Sequence, residues 1–409
     1  MTSIAIIGGG IVGSAAGTWL AADGHDVTVF ERDQDARPAS TGNAGVIMLS
    51  AISPMARPGI LASVPGWMLD PLGPLTMRLA DVPSLAPFLA RFVAAARPSE
   101  VNRATTALGF LMKTALADHQ ELARRGRLSG HMRRTGALHL FSSDGGFRNA
   151  LGEWRERARH GIDYREVSAA EARELAPCVT GPFSHAIFAP ENWTVSSPNG
   201  ILQSLRAGLR EANILRTGTV TAVNPASDAV GVVVDGTEMK FDRVVVAGGV
   251  WSRDIVKGLG LGVVLEAERG YNTTWAEPPI ELDLPLFFDD HGFCATPLED
   301  GLRVGGAVEL AAVDAPANFA RAAAMRKKMR RYVPDLPEEG GREWMGARPA
   351  TPDSLPVIGA HPRDPRIVFA FGHGHLGLTL SAATARHVGD LVARRVDRNL
   401  APFGIERFQ

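Results

Sequence analysis

This sequence has few cysteines and few tyrosines, and its positive and negative charges almost cancel. Its two cysteines, Cys178 and Cys294, are too few for a disulfide framework and have no metal-ligand spacing, which fits a reducing compartment. Lys+Arg 43 against Asp+Glu 44 gives a formal net charge of -1, so no global charge favours nucleic acid or an acidic membrane as partner. A hydrophobic content of 45% excludes a disordered chain, and 409 residues predict two or three domains of about 150 residues each.

A long uncharged window does occur, between Ile4 and Ala22, but it lacks the features of a membrane segment. Five glycines interrupt it, and no Lys or Arg precedes it, as a signal peptide would require. We therefore expect neither a membrane span nor a signal peptide there.

The same window carries a β-α-β pattern. Ile4–Ile7 predicts a buried parallel strand, Gly8-Gly9-Gly10-Ile11-Val12-Gly13 reads G-x-G-x-x-G, and Ser14–Ala22 predicts a helix. His25–Phe30 predicts a second strand that ends at Glu31, an acid placed to accept from a ribose hydroxyl. The pattern predicts a dinucleotide on a helix N-terminus. Glu31 disfavours a 2′-phosphate and hence NADP, whereas FAD and NAD both stay open.

A polar loop of small residues, Ala39–Val46, follows the second strand. Its backbone could pass close to an extended dinucleotide and reach a flavin. Its composition is equally that of an ordinary surface turn.

Together these motifs resemble the D-amino acid dehydrogenase branch of the D-amino acid oxidase-like flavoprotein family. The resemblance continues through the R-G-Y element Arg269-Gly270-Tyr271, the segment from Met345 to Gly359, and Gly372-His373-Gly374-His375-Leu376-Gly377-Leu378-Thr379. It implies FAD and the oxidation of a carbon–nitrogen bond in an amino acid. Neither cysteine lies near the C-terminal motif, where the covalent-flavin branch has one, so we predict noncovalent FAD.

The expected fold class is α/β, with a discontinuous Rossmann-type FAD-binding domain and a second α+β substrate domain built on an antiparallel sheet. We assign residues 1–75, 190–255 and 340–409 to the first and residues 76–189 and 256–339 to the second. Periodicity predicts a helix over Ile201–Arg210 and a closing helix from about Leu376 to Arg395. Predicted strands lie at Arg134–Phe141, Asn213–Val223, Gly231–Gly236, Phe241–Gly249, Tyr271–Trp275, Phe287 and Leu302–Gly306.

The predicted cofactor contacts come from six stretches of the chain. They are Gly8, Gly10, Ile11, Val12, Gly13, Glu31, Arg32, Ser40, Thr41, Gly42, Asn43, Ala44, Gly45, Val46, Val220, Gly248, Gly249, Trp251, Gly374, His375, Leu376, Gly377, Leu378 and Thr379. Val220 is equally readable as a plain strand valine.

Four residues are candidates for the chemistry. Arg348 offers a guanidinium that matches a substrate carboxylate. The same arginine could instead form a structural salt bridge. Tyr271 could add a hydroxyl donor or be a packed strand residue. His373 or His375 could accept the amine proton or form a structural hydrogen bond. The turn at Gly374 opens a helix whose N–H groups would stabilise negative charge on a reduced flavin.

One stretch, Pro54–Pro98, is proline-rich and apolar. Its large residues are Trp67, Met68, Leu69, Leu72, Leu75, Met77, Leu79, Phe88, Leu89, Phe92 and Val93. They predict either a covered subdomain or a lid or surface that meets a membrane or an electron acceptor.

The predicted function is oxidative deamination of a D-amino acid, with D-proline or cis-4-hydroxy-D-proline as candidate substrates and a quinone or other non-oxygen acceptor. Alternatives are a glycine- or sarcosine-type oxidase that uses oxygen, an FAD-binding subunit of an opine or hydroxyproline dehydrogenase complex, and a catalytically silent dinucleotide-binding module. We expect a cytoplasmic protein, with peripheral contact at the inner membrane or a partner subunit as a further option. No metal, nucleic-acid or Ser-His-Asp site is predicted.

Overall fold

The computed structural model describes residues 1–35, 38–58, 66, 73, 75–128, 132–395 and 397–409. The described helices are α1 Ile11–Ala22, α2 Val82–Ala95, α3 Pro98–Arg125, α4 Asp144–Arg159, α5 Ala169–Leu175, α6 Pro198–Glu211, α7 Ser252–Gly258, α8 Ala320–Met329 and α9 Gly377–Val392. The described strands are β1 Ser3–Ile7, β2 Asp26–Glu31, β3 Val46–Ile47, β4 Leu75–Met77, β5 Met132–Arg134, β6 Ala137–Phe141, β7 Arg165–Val167, β8 His185–Ala189, β9 Trp193–Val195, β10 Leu215–Thr217, β11 Val220–Pro225, β12 Val230–Val234, β13 Thr237–Phe241, β14 Arg243–Val246, β15 Glu266–Trp275, β16 Leu286–Phe288, β17 Phe293–Leu298, β18 Gly301–Leu310, β19 Arg342–Ala350, β20 Val357–Ala360 and β21 Ile367–Phe371.

A six-stranded sheet of order β10-β2-β1-β14-β21-β20 forms the predicted Rossmann-type half. Its pairs are parallel except for β20 with β21. Ile6 pairs with Val29 on one side and Val245 on the other, and all three are fully buried, as expected for a sheet covered on both faces. The pattern that predicted one strand from Asn213 to Val223 is corrected, because the chain divides into β10 in this sheet and β11 in a separate sheet with β12 and β13.

A nine-stranded sheet forms the second half, with β19-β15-β18-β17-β16-β6-β8-β7 in order and β4 beside β18. Its pairs are antiparallel except β16 with β6 and β18 with β4. The predicted single strand over Arg134–Phe141 is wrong. Gly136, at φ +67°, turns the chain, so β5 joins β3 and β9 while β6 enters the large sheet. The predicted fold class is confirmed.

Helix predictions hold more closely than strand boundaries. The predicted helix over Ile201–Arg210 lies inside α6, whose first turn is capped by the Ser197 hydroxyl accepting from the Gly200 N–H at 3.0 Å. The closing helix, α9, ends at Val392. The domain boundaries stay predictions; β19, which begins just past residue 340, pairs along its length with β15 in the nine-stranded sheet.

Within the described residues, no helix is both long and apolar enough to cross a bilayer, and no cluster of metal-ligating side chains occurs. In the apolar stretch, Leu85 and Phe88 of α2 pack with Leu310 and Ala350, whereas Val93 is 56% exposed. Trp67, Met68, Leu69 and Leu72 lie outside the described residues.

Candidate active site

The turn between β1 and α1 explains why its glycines are required. Gly8 has φ +104°, and a Cβ there would lie 2.7 Å from the Ala247 carbonyl oxygen. A Cβ at Gly13 would collide with the Gly8 carbonyl, because α1 packs directly on the turn. At Gly10, the N-cap of α1, a Cβ would meet open space. The free N–H groups of the first helical turn therefore border a space where a phosphate can approach.

Glu31 ends β2 beside this turn. Its Oε2 accepts from the Gly9 N–H at 2.8 Å, which fixes the carboxylate next to the glycines. Arg206 of α6, fully buried, donates from Nε to the Gly9 carbonyl at 2.8 Å and from Nη1 to the Gln34 carbonyl at 2.8 Å. Its Nη2 lies 3.4 Å from Glu31 Oε2. Burial lowers the pKa of Arg206, and the negative charge of Glu31 partly offsets that effect.

Sequence reasoning missed Arg206. The available signal was a cation among the apolar positions Ile201, Leu202, Leu205 and Leu209 that α6 buries. A buried charge needs partners, and here the partners are the phosphate-side turn and the ribose-side acid.

The loop over Ala39–Val46 is held by side chains of the nine-stranded sheet. Asn272 of β15 donates to the Gly42 carbonyl at 2.9 Å, and Arg303 of β18 donates to the carbonyls of Thr41 at 3.2 Å and Asn43 at 2.7 Å. The Trp344 ring lies so close to Gly42 that any Cβ there would collide with it. Side chains of the nine-stranded sheet therefore hold the loop in place, and the sequence analysis did not predict these contacts.

The turn before α9 contributes another part of the wall of the site. His373 is buried and its Nε2 lies 2.9 Å from the Thr384 hydroxyl oxygen. Burial lowers the pKa of His373 to about 3, so it is neutral at physiological pH. The Thr379 hydroxyl receives the Met48 N–H at 3.2 Å and donates to the Val46 carbonyl at 3.3 Å, which ties α9 to the loop.

Arg348 and Glu268 face each other as a cross-strand pair of β19 and β15. Arg348 Nη1 donates to Glu268 Oε1 at 3.1 Å and to the Ala307 carbonyl at 3.3 Å. His375 Nε2 contacts the same Glu268 oxygen. Burial opposes the charge on Glu268, but His375 and Arg348 outweigh it and lower its pKa to about 2. Two predicted residues, Arg348 and His375, thus meet through a carboxylate that sequence reasoning missed.

Tyr271 is not brought to that group. Its hydroxyl donates to Glu309 and accepts from the Asn318 N–H at 3.0 Å. Burial and Glu309 raise its pKa to about 12. Along the regular β15–β19 ladder, residues 268, 270 and 272 share one face and residue 271 lies on the other. The tyrosine hydroxyl is therefore across the sheet from Arg348, and a contact with substrate at Arg348 does not follow from this geometry.

One continuous cavity of about 1100 Å³ joins these features. All predicted cofactor contacts line it except Gly13, Thr41 and Gly45. Gly13 packs the turn on α1, the Thr41 hydroxyl donates to the Pro38 carbonyl at 2.9 Å, and a Cβ at Gly45 would meet Leu298. The four predicted chemical residues also lie in its wall.

The residues of this cavity fit FAD. Ser40 Oγ and Ser252 Oγ are buried in its wall without a hydrogen-bond partner among the described residues, as expected where a polar ligand completes a site. The glycine turn can hold the pyrophosphate, Glu31 the ribose, and the turn at Gly374 the pyrimidine side of the flavin.

Comparisons with known proteins agree with this geometry. Residues 3–391 match the DAO family of FAD-dependent oxidoreductases. A protein of Bradyrhizobium diazoefficiens named D-amino-acid oxidase is 33% identical, over 99% of this chain and 98% of that protein. A protein of Dechloromonas aromatica named D-amino acid dehydrogenase is 28% identical, over 98% and 99%.

Among solved structures, glycine oxidase from Geobacillus kaustophilus superposes with a TM-score of 0.75 at 23% identity, covering 99% of both chains. At that identity the superposition establishes the fold. The match over nearly the whole chain and the full-length relatives establish more: the protein is a member of the DAO family of FAD-dependent oxidoreductases, and FAD is its cofactor.

Proposed function

We propose that this enzyme oxidises a D-amino acid at the bond between its α carbon and its nitrogen. The observation that carries the proposal is the guanidinium of Arg348, held by Glu268 and the Ala307 carbonyl in the wall of the cavity that also carries the turn at Gly374. A guanidinium in that place can bind an α-carboxylate through two parallel hydrogen bonds. The names of the full-length relatives, D-amino-acid oxidase and D-amino acid dehydrogenase, support the D configuration.

The residues of the chain would then bind and orient the substrate. FAD, when bound, supplies the acceptor for a hydride from the α carbon. Arg348 holds the carboxylate and so fixes the position of the neighbouring α carbon in the cavity. The amine must be neutral when the hydride leaves, so one proton departs from nitrogen. His375, which lines the same cavity and is 38% exposed, is the proposed acceptor of that proton. The product is an imine, which water converts to a 2-oxo acid and ammonia.

For the electron acceptor we propose a compound other than oxygen, such as a quinone. The support is the name dehydrogenase, which several relatives at 28–29% identity share, whereas the relative at 33% is named an oxidase. Oxygen consumption compared with quinone or dye reduction during turnover decides between the two.

The test of the reaction is anaerobic mixing of the FAD-loaded protein with D-amino acids, their L-enantiomers, glycine and sarcosine. We expect D-amino acids alone to bleach the flavin absorption band at about 450 nm. Bleaching by L-enantiomers or sarcosine instead would contradict the proposal. D-proline and cis-4-hydroxy-D-proline form a separate arm, because a cyclic substrate needs no polar group at the far end of the cavity.

A further inference from the structure

The cavity extends beyond Arg348 to a group of charged residues that the proposed reaction does not use. We call this group the distal pole; it consists of Arg57, His139, Arg157 and Asp289, which all line the cavity. His139 lies on β6, Arg157 on α4, and Asp289 directly after β16. Three separate elements and the loop that carries Arg57 thus converge on one part of the wall.

Two atoms of the distal pole are buried without a hydrogen-bond partner among the described residues, His139 Nε2 and Arg157 Nε. Within the part of the chain that the structure describes, the guanidinium of Arg157 makes no hydrogen bond, and its Nε is buried without a partner. Its side chain is 16% exposed and lies over the Trp154 ring, 4.4 Å from the centroid. A guanidinium carries five N–H donors, and burying them unpaired is unfavourable. An acceptor that enters the cavity would relieve this cost.

The carboxylates near Arg157 are already engaged by other cations. Glu153 accepts Arg57 Nε at 3.1 Å, whereas Arg157 Nη2 lies 3.7 Å away from it. Asp289 Oδ2 lies 2.8 Å from His139 Nδ1. Arg157 is therefore an ion-pair neighbour of Glu153 that makes no hydrogen bond to either carboxylate, and a negatively charged group that enters the cavity could accept from its N–H donors.

A row of cavity-lining residues connects the distal pole to the site of Arg348. Gly305, Cys294, Phe287 and His139 are cross-strand neighbours on β18, β17, β16 and β6. Three strand spacings put the two ends of this row roughly 14 Å apart. The Ala307 carbonyl that contacts Arg348 lies on the same strand as Gly305. An amino acid bound at Arg348 would extend its side chain along this row.

We infer that Arg157 binds the side-chain carboxylate of an acidic D-amino acid, D-glutamate or D-aspartate, whose α-carboxylate lies on Arg348. The inference rests on the proposed function and narrows its substrate class. A substrate with two carboxylates would use both cationic ends of the cavity. D-proline would use only one of them.

The test compares substrates that differ in one charge. D-glutamate and D-glutamine have the same length, so the ratio of their kcat/KM values isolates the side-chain carboxylate. We expect a ratio of at least about ten in favour of D-glutamate, because a charge-assisted hydrogen bond is lost in D-glutamine. Equal values for the two, or D-proline as the best substrate of the panel, would overturn the inference while leaving D-amino acid oxidation intact.

Arg157→Gln supplies the second arm. It should lower kcat/KM for D-glutamate about tenfold or more and change that for D-alanine less than twofold, with partial recovery in Arg157→Lys. Arg159→Gln is the matched control, since Arg159 lies on the same helix, 77% exposed and paired with Glu156. An equal loss for both substrates would mean that Arg157 only supports the fold. If no D-amino acid of the panel reduces the flavin, the proposed function fails and this inference with it. If Arg157→Gln does not fold, the wild-type ratio still decides.

Discussion

The two ends of the cavity are built in different ways. At the dinucleotide end, β1, the glycine turn, α1 and β2 are contiguous within residues 3–31, and glycines keep the turn open to a ligand. At the substrate end, Glu268, Arg348 and His375 come from three elements spread over more than a hundred residues, and side chains form the surface. A local turn is specified by its own residues, whereas a converging set of side chains depends on sheet register.

The largest expected effect is the loss of FAD binding through a change confined to the dinucleotide end. In Gly13→Ala the new Cβ would collide with the Gly8 carbonyl, a backbone atom that cannot move aside without opening the turn. We expect the protein to purify without the yellow colour of FAD, with affinity lowered more than about a hundredfold. Titration with FAD, followed by flavin fluorescence, measures this. Gly208→Ala in α6, where a Cβ meets open space, is the control and should keep FAD.

The next largest expected effect is weaker binding of the substrate, with FAD binding unchanged. Arg348→Ala removes the guanidinium and leaves Glu268 with His375 as its remaining ion-pair partner among the described side chains. We expect KM for the D-amino acid to rise on the order of a hundredfold while FAD stays bound. Steady-state kinetics and the flavin spectrum of the same preparation report both. A near-normal KM would remove Arg348 from substrate binding.

A smaller effect tests whether the dinucleotide end is as local as its motif suggests. Arg206→Leu removes the donor to the Gln34 carbonyl, one of two donors to the Gly9 carbonyl, which keeps the Ser14 hydroxyl, and the cation beside Glu31. We expect FAD affinity to fall about tenfold and the free energy of unfolding by about 2–4 kcal/mol. Calorimetry of FAD binding and chemical denaturation measure the two losses. The exposed Arg210, which donates to the Gln34 side chain, gives the control Arg210→Gln. Unchanged affinity in Arg206→Leu would show that the turn needs no distant support.

The smallest effect concerns pH and the substrate end. The pKa of Glu268 is lowered from its ordinary 4.5 to about 2 in the folded protein. Its ionised form therefore stabilises the fold above pH 4.5, and that contribution is lost as the pH falls through about 2. Between these values we expect the free energy of unfolding of the wild type to approach that of Glu268→Gln. A difference between the two proteins that does not change over this range would contradict the assignment.

The missed residues show where sequence reasoning ended. Glu268 directly precedes the Arg269-Gly270-Tyr271 element, yet its role depends on β19 as a partner strand, whose register places Arg348 opposite it. The same register turns the Tyr271 hydroxyl to the other face, toward Glu309 and Asn318. Side chains of a strand alternate between its two faces, so the sequence predicts which residues share a face but not which face lines the cavity.

The loop over Ala39–Val46 and the distal pole also depend on contacts between residues far apart in the sequence. Asn272, Arg303 and Trp344 hold the loop at Gly42 from strands more than two hundred residues away. Arg157 lies on α4, a helix of mostly polar residues in which one arginine could not be told from the others by sequence. Burial against Trp154 and the lack of an acceptor distinguish it.

The dinucleotide turn and the acid at Glu31 could be read from the residues alone, and the resemblance to a flavoprotein family added FAD and the two-part α/β architecture. The turn and the acid depend on glycine spacing, apolar periodicity and short-range backbone geometry, which neighbouring residues specify. Tertiary structure alone decided that Arg206 supports the turn, that Glu268 joins Arg348 to His375, and that Arg157 faces the far end of the cavity. Those arrangements arise when distant charged side chains are buried together, because a charge removed from water must find its partner wherever the fold places one.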